Sequence, residues 1–161
     1  MTVATKSVTN RRQIRYETYD NLLSDAEALA AGEIETIGNW SYGQILEHIS
    51  ATMCAKIDGF SFRGPLPLRI IMKLFMMSKF LNKGLPAGFS IPKKAEHLFK
   101  PDDGATTDAG MEFLRSAIER TNSEPATAEH PFLGPLTPEE WQKFDLRHAE
   151  LHMSFVRPAG E

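Results

Sequence analysis

The sequence contains one cysteine, Cys54, among its 161 residues. A single cysteine excludes an internal disulfide framework and fits a reducing compartment. The sequence also lacks an apolar segment long enough to span a bilayer, and its first residues lack the apolar core of a secretory signal. From these absences we expect a cytoplasmic protein.

The chain also lacks a strong net charge of either sign. The chain has 18 Lys and Arg against 21 Asp and Glu, which gives a formal net charge of -3. This balance gives no reason to expect nucleic acid or an anionic membrane as a partner. With 42% hydrophobic and 24% charged residues, the composition is that of a globular chain. Its length predicts a single domain over 1–161, with residues 1–10 as a flexible tail.

Apolar periodicity predicts four long helices and no strand. Two of the helices have clear starts. Ser41 and Gln44 have the spacing of a capping box, and so do Thr137 and Glu140, with Pro138 at the first helical position. The predicted ranges are about 11–31, 41–57, 107–122 and 138–157. The fold class predicted from this pattern is all-α.

A long connection, from 59 to about 106, joins the second and third helices. It is rich in proline and glycine and encloses a short Met-rich helix at 68–82. Arg69, Lys73 and Lys79 interrupt this helix, which is too short to span a bilayer. Between the two remaining interpretations, we expect its stretch 71–77 to form core or pocket wall rather than a membrane anchor.

Five residues of the fourth helix fall on one face at 100° per residue. They are spaced 4, 3, 4 and 3 apart: Trp141, Asp145, His148, His152 and Phe155. A buried polar group without a partner costs about 1–3 kcal/mol. The polar middle of this face therefore needs hydrogen bonds from neighbouring helices, or an ion.

The pair His148 and His152 projects two rings to the same side of the helix, one turn apart, which suits two ligands of one divalent cation. Imidazole nitrogens favour zinc, nickel, copper or iron over calcium or magnesium. A third ligand must come from another helix, and His48, beside the small residues Ala51 and Ala55, is the candidate. The alternative for such a pair is a hydrogen-bonded core or a solvated surface.

The other candidates favour structural roles. His97 and His130 lie in loop-like segments and are predicted to be solvated or to brace their loops. Cys54 lies on a different face from His48, which favours a buried structural thiol.

Two segments together carry a resemblance to a known family. "NWSYGQILEHI" (39–49) contains a W-S-x-x-Q-x-x-x-H pattern. "HPFLGPLTPEEWQKFDLRHAELHMSF" (130–155) begins with the pattern HPFxGxLTPEEW, and an H-x-x-x-H pair follows the tryptophan by seven residues. In this combination the chain resembles the DinB-like superfamily, in a branch of unassigned function. The resemblance covers nearly the whole chain in helix order.

The resemblance implies a four-helix bundle with an extended connection between helices 2 and 3. It implies that His48, His148 and His152 bind a divalent metal, usually nickel or zinc. Many relatives have a glutamine shortly after the last histidine, where this chain has Ser154. Relatives often pair through bundle faces, so a homodimer is expected.

Characterised relatives include thiol-dependent transferases, glutathione-dependent isomerases and hydrolase-like members. The expected function is therefore a metal-dependent S-transferase or hydrolase, in which an activated low-molecular-weight thiol or water attacks a small electrophilic substrate. A non-catalytic binding or stress-response protein is the second hypothesis. Asp145 is expected to orient a ligating ring or to shuttle a proton; the alternative is a hydrogen-bond network or a pair with a basic residue of another helix. Four crossover phenylalanines are expected to wall the pocket: Phe60, Phe62, Phe75 and Phe80.

Overall fold

The structure, a computed structural model, describes residues 3–88, 93 and 96–160, without the side chains of 97 and 98. The predicted role of the His97 side chain therefore lies outside the described residues. The fold is predominantly helical, as the sequence predicts. The helices are α1 (Tyr19–Ala30), α2 (Tyr42–Asp58), α3 (Leu66–Ile71), α4 (Met77–Lys83), α5 (Glu96–Phe99), α6 (Thr107–Ser123) and α7 (Pro138–Met153); a π-helical turn (Met72–Met76) joins α3 to α4, and the strands are β1 (Ile34–Thr36) and β2 (Val156–Pro158).

The starts of α2 and α7 are the two predicted capping boxes. The Ser41 hydroxyl accepts a hydrogen bond from the Gln44 amide, and the Gln44 side chain accepts one from the Ser41 amide. Thr137 and Glu140 make the same two bonds. These bonds satisfy amide groups that have no partner inside the helix, and they fix where each helix begins.

Helix α1 begins at Tyr19, so the predicted start near residue 11 is wrong. Thr18 is an extended N-cap whose hydroxyl accepts from the Asn21 amide, which sets the start. The preceding residues run without helix, and Arg12 donates two hydrogen bonds to the Asp25 carboxylate at 3.0 and 2.5 Å. The segment is thus held by ion pairing to α1 rather than by helical hydrogen bonds.

The prediction of no strand is also wrong, on a small scale. β1 pairs antiparallel with β2, with Ile34 opposite Pro158. A strand of three residues is too short to show the period-two alternation that identifies strands in a sequence. Because residues 156–158 form β2, they cannot belong to α7, which ends at Met153 rather than near Arg157.

The four longer helices α1, α2, α6 and α7 share one hydrophobic core. Two glycines allow α2 and α6 to approach closely. A Cβ on Gly43 would lie 2.4 Å from the Ala105 carbonyl oxygen, and one on Gly110 would lie 2.8 Å from Leu46 Cβ. The fully buried side chains of the core include Leu22, Leu46, Ile49, Met53, Leu114, Met153 and Val156.

The crossover helix (66–83), formed by α3, the π-helical turn and α4, packs differently from the prediction. The expectation that 71–77 forms core or pocket wall is wrong for three of its apolar side chains, since Ile71, Leu74 and Phe75 are 53%, 70% and 72% exposed. Only the C-terminal part packs closely: α4 contacts α7 and buries Phe80 and Leu81. No helix among the described residues is long and apolar enough to cross a bilayer.

Candidate metal centre

The structure brings together the three histidines that the sequence singles out. His48 lies on α2, and His148 and His152 lie one turn apart on α7. His48 Nε2 is 3.3 Å from His148 Nε2, which is 3.0 Å from His152 Nε2. His48 is 5% exposed, whereas the two α7 rings are half-buried. The cluster therefore sits at the α2–α7 contact, with part of it open to solvent.

Hydrogen bonds on the far side of two rings fix which nitrogen faces the cluster. His48 Nδ1 lies 2.6 Å from the Phe99 carbonyl oxygen, which can only accept, so the ring proton is on Nδ1. The Thr52 hydroxyl donates to the Ile49 carbonyl at 2.8 Å and lies 3.2 Å from His148 Nδ1. With the Thr52 proton on the Ile49 carbonyl, its oxygen is available to accept the Nδ1 proton of His148, and we assign this tautomer. Both rings present an unprotonated Nε2 to the cluster.

This arrangement fits a divalent transition metal. Two unprotonated nitrogens 3.3 Å apart, on His48 and His148, repel each other unless a cation lies between them. Two nitrogens bound to zinc at about 2.0–2.1 Å and at the tetrahedral angle lie about 3.4 Å apart, close to the spacing here. The three rings, whose ligand atoms all lie within 4.8 Å of one another, could hold a metal ion.

Burial keeps the three imidazoles neutral. It lowers the pKa of His48 to about 4, and the hydrogen bond to the Phe99 carbonyl offsets part of this effect. Burial, with the neighbouring rings as a further cause, lowers the pKa of His148 and of His152 well below the ordinary value. Neutral imidazole is the form that coordinates metals, so the cluster is ready to bind at neutral pH.

Aromatic rings hold the histidines in place. The Trp40 ring stacks on His152, with centroids 5.4 Å apart and planes at 20°. Phe144 stacks on His148 at 6.0 Å and 18°. These flanking rings restrict the rotation of the imidazoles and make the cluster rigid.

Sequence reasoning placed Thr52 beside His48 but missed its contact with His148, and it missed three further residues of the site: Trp40, Phe99 and Phe144. Periodicity offered a signal for Thr52 and Phe144. Thr52 follows His48 by four residues and Phe144 precedes His148 by four, so each shares a helix face with its histidine. Nothing in the sequence pattern indicates the Phe99 carbonyl, because it reaches α2 from the distant α5.

Asp145 does not join the cluster. Its carboxylate accepts hydrogen bonds from the Lys56 ammonium and, at 2.8 Å, from the Tyr19 hydroxyl, and all three side chains are buried. Within the described part of the chain, no hydrogen bond links it to an imidazole. Burial raises the pKa of Asp145, while Lys56 acts in the opposite direction. The contacts are those of the alternative interpretation, a pair with a basic residue of another helix; the proton-shuttle role stays a prediction.

An aromatic cluster extends from His148 along the start of α7. Its rings contact one another at centroid distances of 4.5 to 6.4 Å: Phe60, Phe62, Phe99, His130, Phe132, Trp141 and Phe144. Phe60 and Phe62 thus lie in the ring-lined region near the histidines. Phe75 is exposed and Phe80 is buried on α4, so neither belongs to this cluster.

The contacts of His130 and the burial of Cys54 indicate structural roles for both residues. His130 Nδ1 accepts hydrogen bonds from the amides of Phe132 and Leu133, so the ring braces its loop, as predicted. Burial lowers its pKa to about 3, which keeps it neutral. Cys54 is buried, and burial raises the pKa of its thiol, which makes it a poor nucleophile.

Ser154 makes hydrogen bonds within the protein. Its hydroxyl donates to the Leu151 carbonyl at 2.6 Å and accepts from Arg11 at 3.1 Å. It therefore ties the N-terminal segment to the end of α7.

Comparisons with known proteins give a family but no function. No curated protein matches the chain significantly. No solved structure does so either. The model of the family described as "Protein of unknown function (DUF1569)" matches residues 8–159, which is nearly the whole chain, and the protein therefore belongs to that family.

Proposed function

We propose that this protein is a divalent-metal-dependent enzyme of the DinB-like type, with nickel or zinc held by His48, His148 and His152 in a four-helix bundle. The observation that carries the proposal is the fixed orientation of the rings. Phe99 and Thr52 lie against the Nδ1 atoms of His48 and His148, so the Nε2 atoms, which lie 3.3 Å apart, are the ones available to a metal. Partners of this kind are characteristic of metal-ligating histidines.

The ligand set favours catalysis over a purely structural role. Structural zinc sites have four protein ligands, whereas catalytic sites have three and an open position. A bound metal ion would lower the pKa of a water or small thiol beside it, which supplies a nucleophile at neutral pH. The chain holds the rings neutral by burial and limits their rotation with Trp40 and Phe144.

The aromatic cluster supports a small apolar or planar substrate. Phe144 connects His148 to the rings of Phe60, His130 and Trp141. Such a wall is apolar and excludes water, and it offers faces on which a planar or apolar substrate can pack. A thiol-dependent S-transferase or a hydrolase fits these surroundings.

One observation favours a second candidate, a non-catalytic metal-binding or stress-response protein. Asp145, the carboxylate expected to move protons, is hydrogen-bonded to Lys56 and Tyr19 instead. In the described residues no carboxylate contacts the three rings. A centre with ligands but no acid or base beside them could bind a metal without turning over a substrate.

Elemental analysis of protein purified without an affinity tag tests the site. We expect about one equivalent of nickel or zinc per chain in the wild type. His48→Ala and His152→Ala should each lose most of it, because two nitrogens hold a transition metal far less tightly than three. His130→Asn, which changes a histidine outside the cluster, is the matched control and should keep full metal content.

The results separate the two candidates. Full metal content in both cluster variants would refute the ligand assignment. A metal-bound wild type that turns over no electrophile with water, glutathione, mycothiol or bacillithiol would favour the non-catalytic protein. Turnover that is lost in both His48→Ala and His152→Ala, with helicity unchanged by circular dichroism, would support the enzyme.

A further inference from the structure

The crossover helix (66–83) presents an apolar face to solvent. Of the large apolar side chains that the described residues expose, only Val3 lies outside this helix. Six exposed large apolar side chains in one helix differ from the scattered single ones of an ordinary surface, and such a grouping is typical of a contact surface. The exposed side chains are Leu66, Leu68, Ile70, Ile71, Leu74 and Phe75.

The chain segment that contains this face is basic, and Glu129, from another part of the chain, pairs with two of its arginines, Arg63 and Arg69. Between Asp58 and Glu96 the sequence contains no acidic residue and these basic ones: Arg63, Arg69, Lys73, Lys79, Lys83, Lys93 and Lys94. The whole chain has a net charge of -3, so the positive charge is concentrated in one segment of an otherwise acidic protein. Lys73, Lys79 and Lys83 are exposed on the helix itself.

The positive charge continues beyond the end of the helix. Lys83 lines a cleft of about 160 Å³ together with Arg11, Arg12 and Arg147. Glu150 is the one acidic residue among the lining residues of this cleft. Arg12 pairs with Asp25 and Arg147 pairs with Glu150, so the cleft adds the charges of Lys83 and Arg11 to the basic surface at the C-terminal end of the helix.

The helix is fixed to the protein in a way that leaves this face outward. Phe80 and Leu81 are buried where α4 packs on α7. Arg15 donates to the Asn82 carbonyl at 3.2 Å, and Arg69 pairs with Glu129 at 3.2 Å. The exposed face is thus presented by an anchored helix.

We propose that the crossover helix docks on an anionic lipid bilayer, with its apolar side chains in the interface and its lysines against the headgroups. Exposed Leu, Ile and Phe flanked by lysine are characteristic of helices that lie in the plane of a membrane surface. The segment is charged and short, so it lies on the bilayer and does not span it. The uneven distribution of charge overrides the expectation, drawn from the net charge, of no membrane partner.

The positive charge of this segment favours an anionic bilayer over a second copy of the chain as the partner of the exposed face. A symmetric dimer through this face would bring the lysines of both copies together, with no acidic residue in 59–95 to compensate. An anionic bilayer supplies the missing negative charge, and each basic residue near its surface strengthens binding by about fivefold.

Vesicle co-sedimentation tests this proposal. The wild type should bind vesicles of phosphatidylcholine with 30% phosphatidylglycerol at least about tenfold more tightly than vesicles of phosphatidylcholine alone, with weaker binding at high salt. The double variant Leu74→Ser/Phe75→Ser and the triple variant Lys73→Gln/Lys79→Gln/Lys83→Gln should each lose about tenfold or more. Both change exposed residues, so circular dichroism should show an unchanged fold.

A matched control changes three exposed basic residues elsewhere, Lys100→Gln/Arg115→Gln/Lys143→Gln, and should bind as tightly as the wild type. Failure of the wild type to bind anionic vesicles at low salt, or equal binding to both vesicle types, would overturn the proposal. So would a wild-type dimer in sedimentation velocity that Leu74→Ser/Phe75→Ser dissociates, which would assign the face to a second copy. Metal content is independent of these variants, so this proposal and the metal centre can fail separately.

Discussion

Lys56 and Asp145 form an ion pair inside the protein, next to the turn of α2 that carries Thr52. Both side chains are almost fully buried, at 4% and 2% exposed. Removing two charges from water is expensive, and only mutual pairing with further hydrogen bonds offsets this. The Tyr19 hydroxyl supplies such a bond to Asp145 and accepts one from Lys56 at 3.2 Å. The trio links α1, α2 and α7 at one point.

We expect Lys56→Met and Asp145→Asn each to lower the free energy of unfolding by about 3–5 kcal/mol, because each leaves a buried polar or charged group without its partner. The double variant Lys56→Met/Asp145→Leu removes both charges and should lose less than either single variant. Urea unfolding measures all three. A double variant that loses the sum of the two single losses would contradict the pairing.

The same variants address the role of Asp145. If Asp145 is structural, Asp145→Asn should keep the metal content of the wild type, and its turnover should fall only as far as its folded fraction does. A folded Asp145→Asn protein with full metal content and turnover reduced by about 10²-fold or more would instead support the proton shuttle.

Residue-level prediction from the sequence succeeded where helical periodicity carries the information. The spacing of His148 and His152 and the capped start of α2 before His48 were sufficient to select three rings that meet. The surroundings of the rings were not predictable in this way. The Phe99 carbonyl and the Trp40 ring reach the cluster from segments whose path depends on the folded chain.

At the scale of elements, the approach of α2 to α6 depends on two glycines. Gly43 lies against the backbone of Ala105 and Thr106, and Gly110 lies against Leu46 and the Gly43 carbonyl. A methyl group at either position would come within 3.0 Å of backbone atoms or a Cβ that cannot move independently. To accommodate the methyl group, α2 and α6 would have to move relative to each other.

We expect Gly43→Ala and Gly110→Ala each to lower the free energy of unfolding by about 1–3 kcal/mol through overpacking, despite the better helix propensity of alanine. Gly32→Ala is the control, since the nearest atom to its added Cβ is 3.9 Å away. It should change stability by less than about 0.5 kcal/mol. Thermal or urea denaturation measures the three variants, and stabilisation by Gly110→Ala would show that the helices are not in tight contact.

Element boundaries were predictable where local chemistry sets them. The capping boxes at Ser41 and Thr137 predicted two helix starts, whereas the start of α1 was missed because the Thr18–Asn21 cap was not used as a start signal. The crossover helix shows the opposite limit. Its apolar composition indicates burial, yet burial is decided by what packs against a helix, and on the described surface its Ile71, Leu74 and Phe75 remain exposed.

For the molecule as a whole, the three histidines lie beside a core that is built from apolar side chains. α2 and α7 meet through apolar side chains as well as through the histidines, with Ile49 and Met53 on one side and Ala149 and Met153 on the other, all fully or nearly fully buried. A site of this kind is preformed. It differs from small zinc domains, in which metal binding supplies most of the folding free energy.

We therefore expect metal removal by EDTA to lower the melting temperature only modestly. A ligand present at about 100 times its dissociation constant stabilises a protein by about 2.7 kcal/mol. For a chain of this length, that amount corresponds to about 5–11 °C. Circular dichroism before and after chelation should show unchanged helicity, and His48→Ala, which lacks the complete ligand set, should show no EDTA-dependent shift. A fall of tens of degrees, or loss of helix, would mean that the three histidines clamp the fold together, and would count heavily against an open catalytic centre.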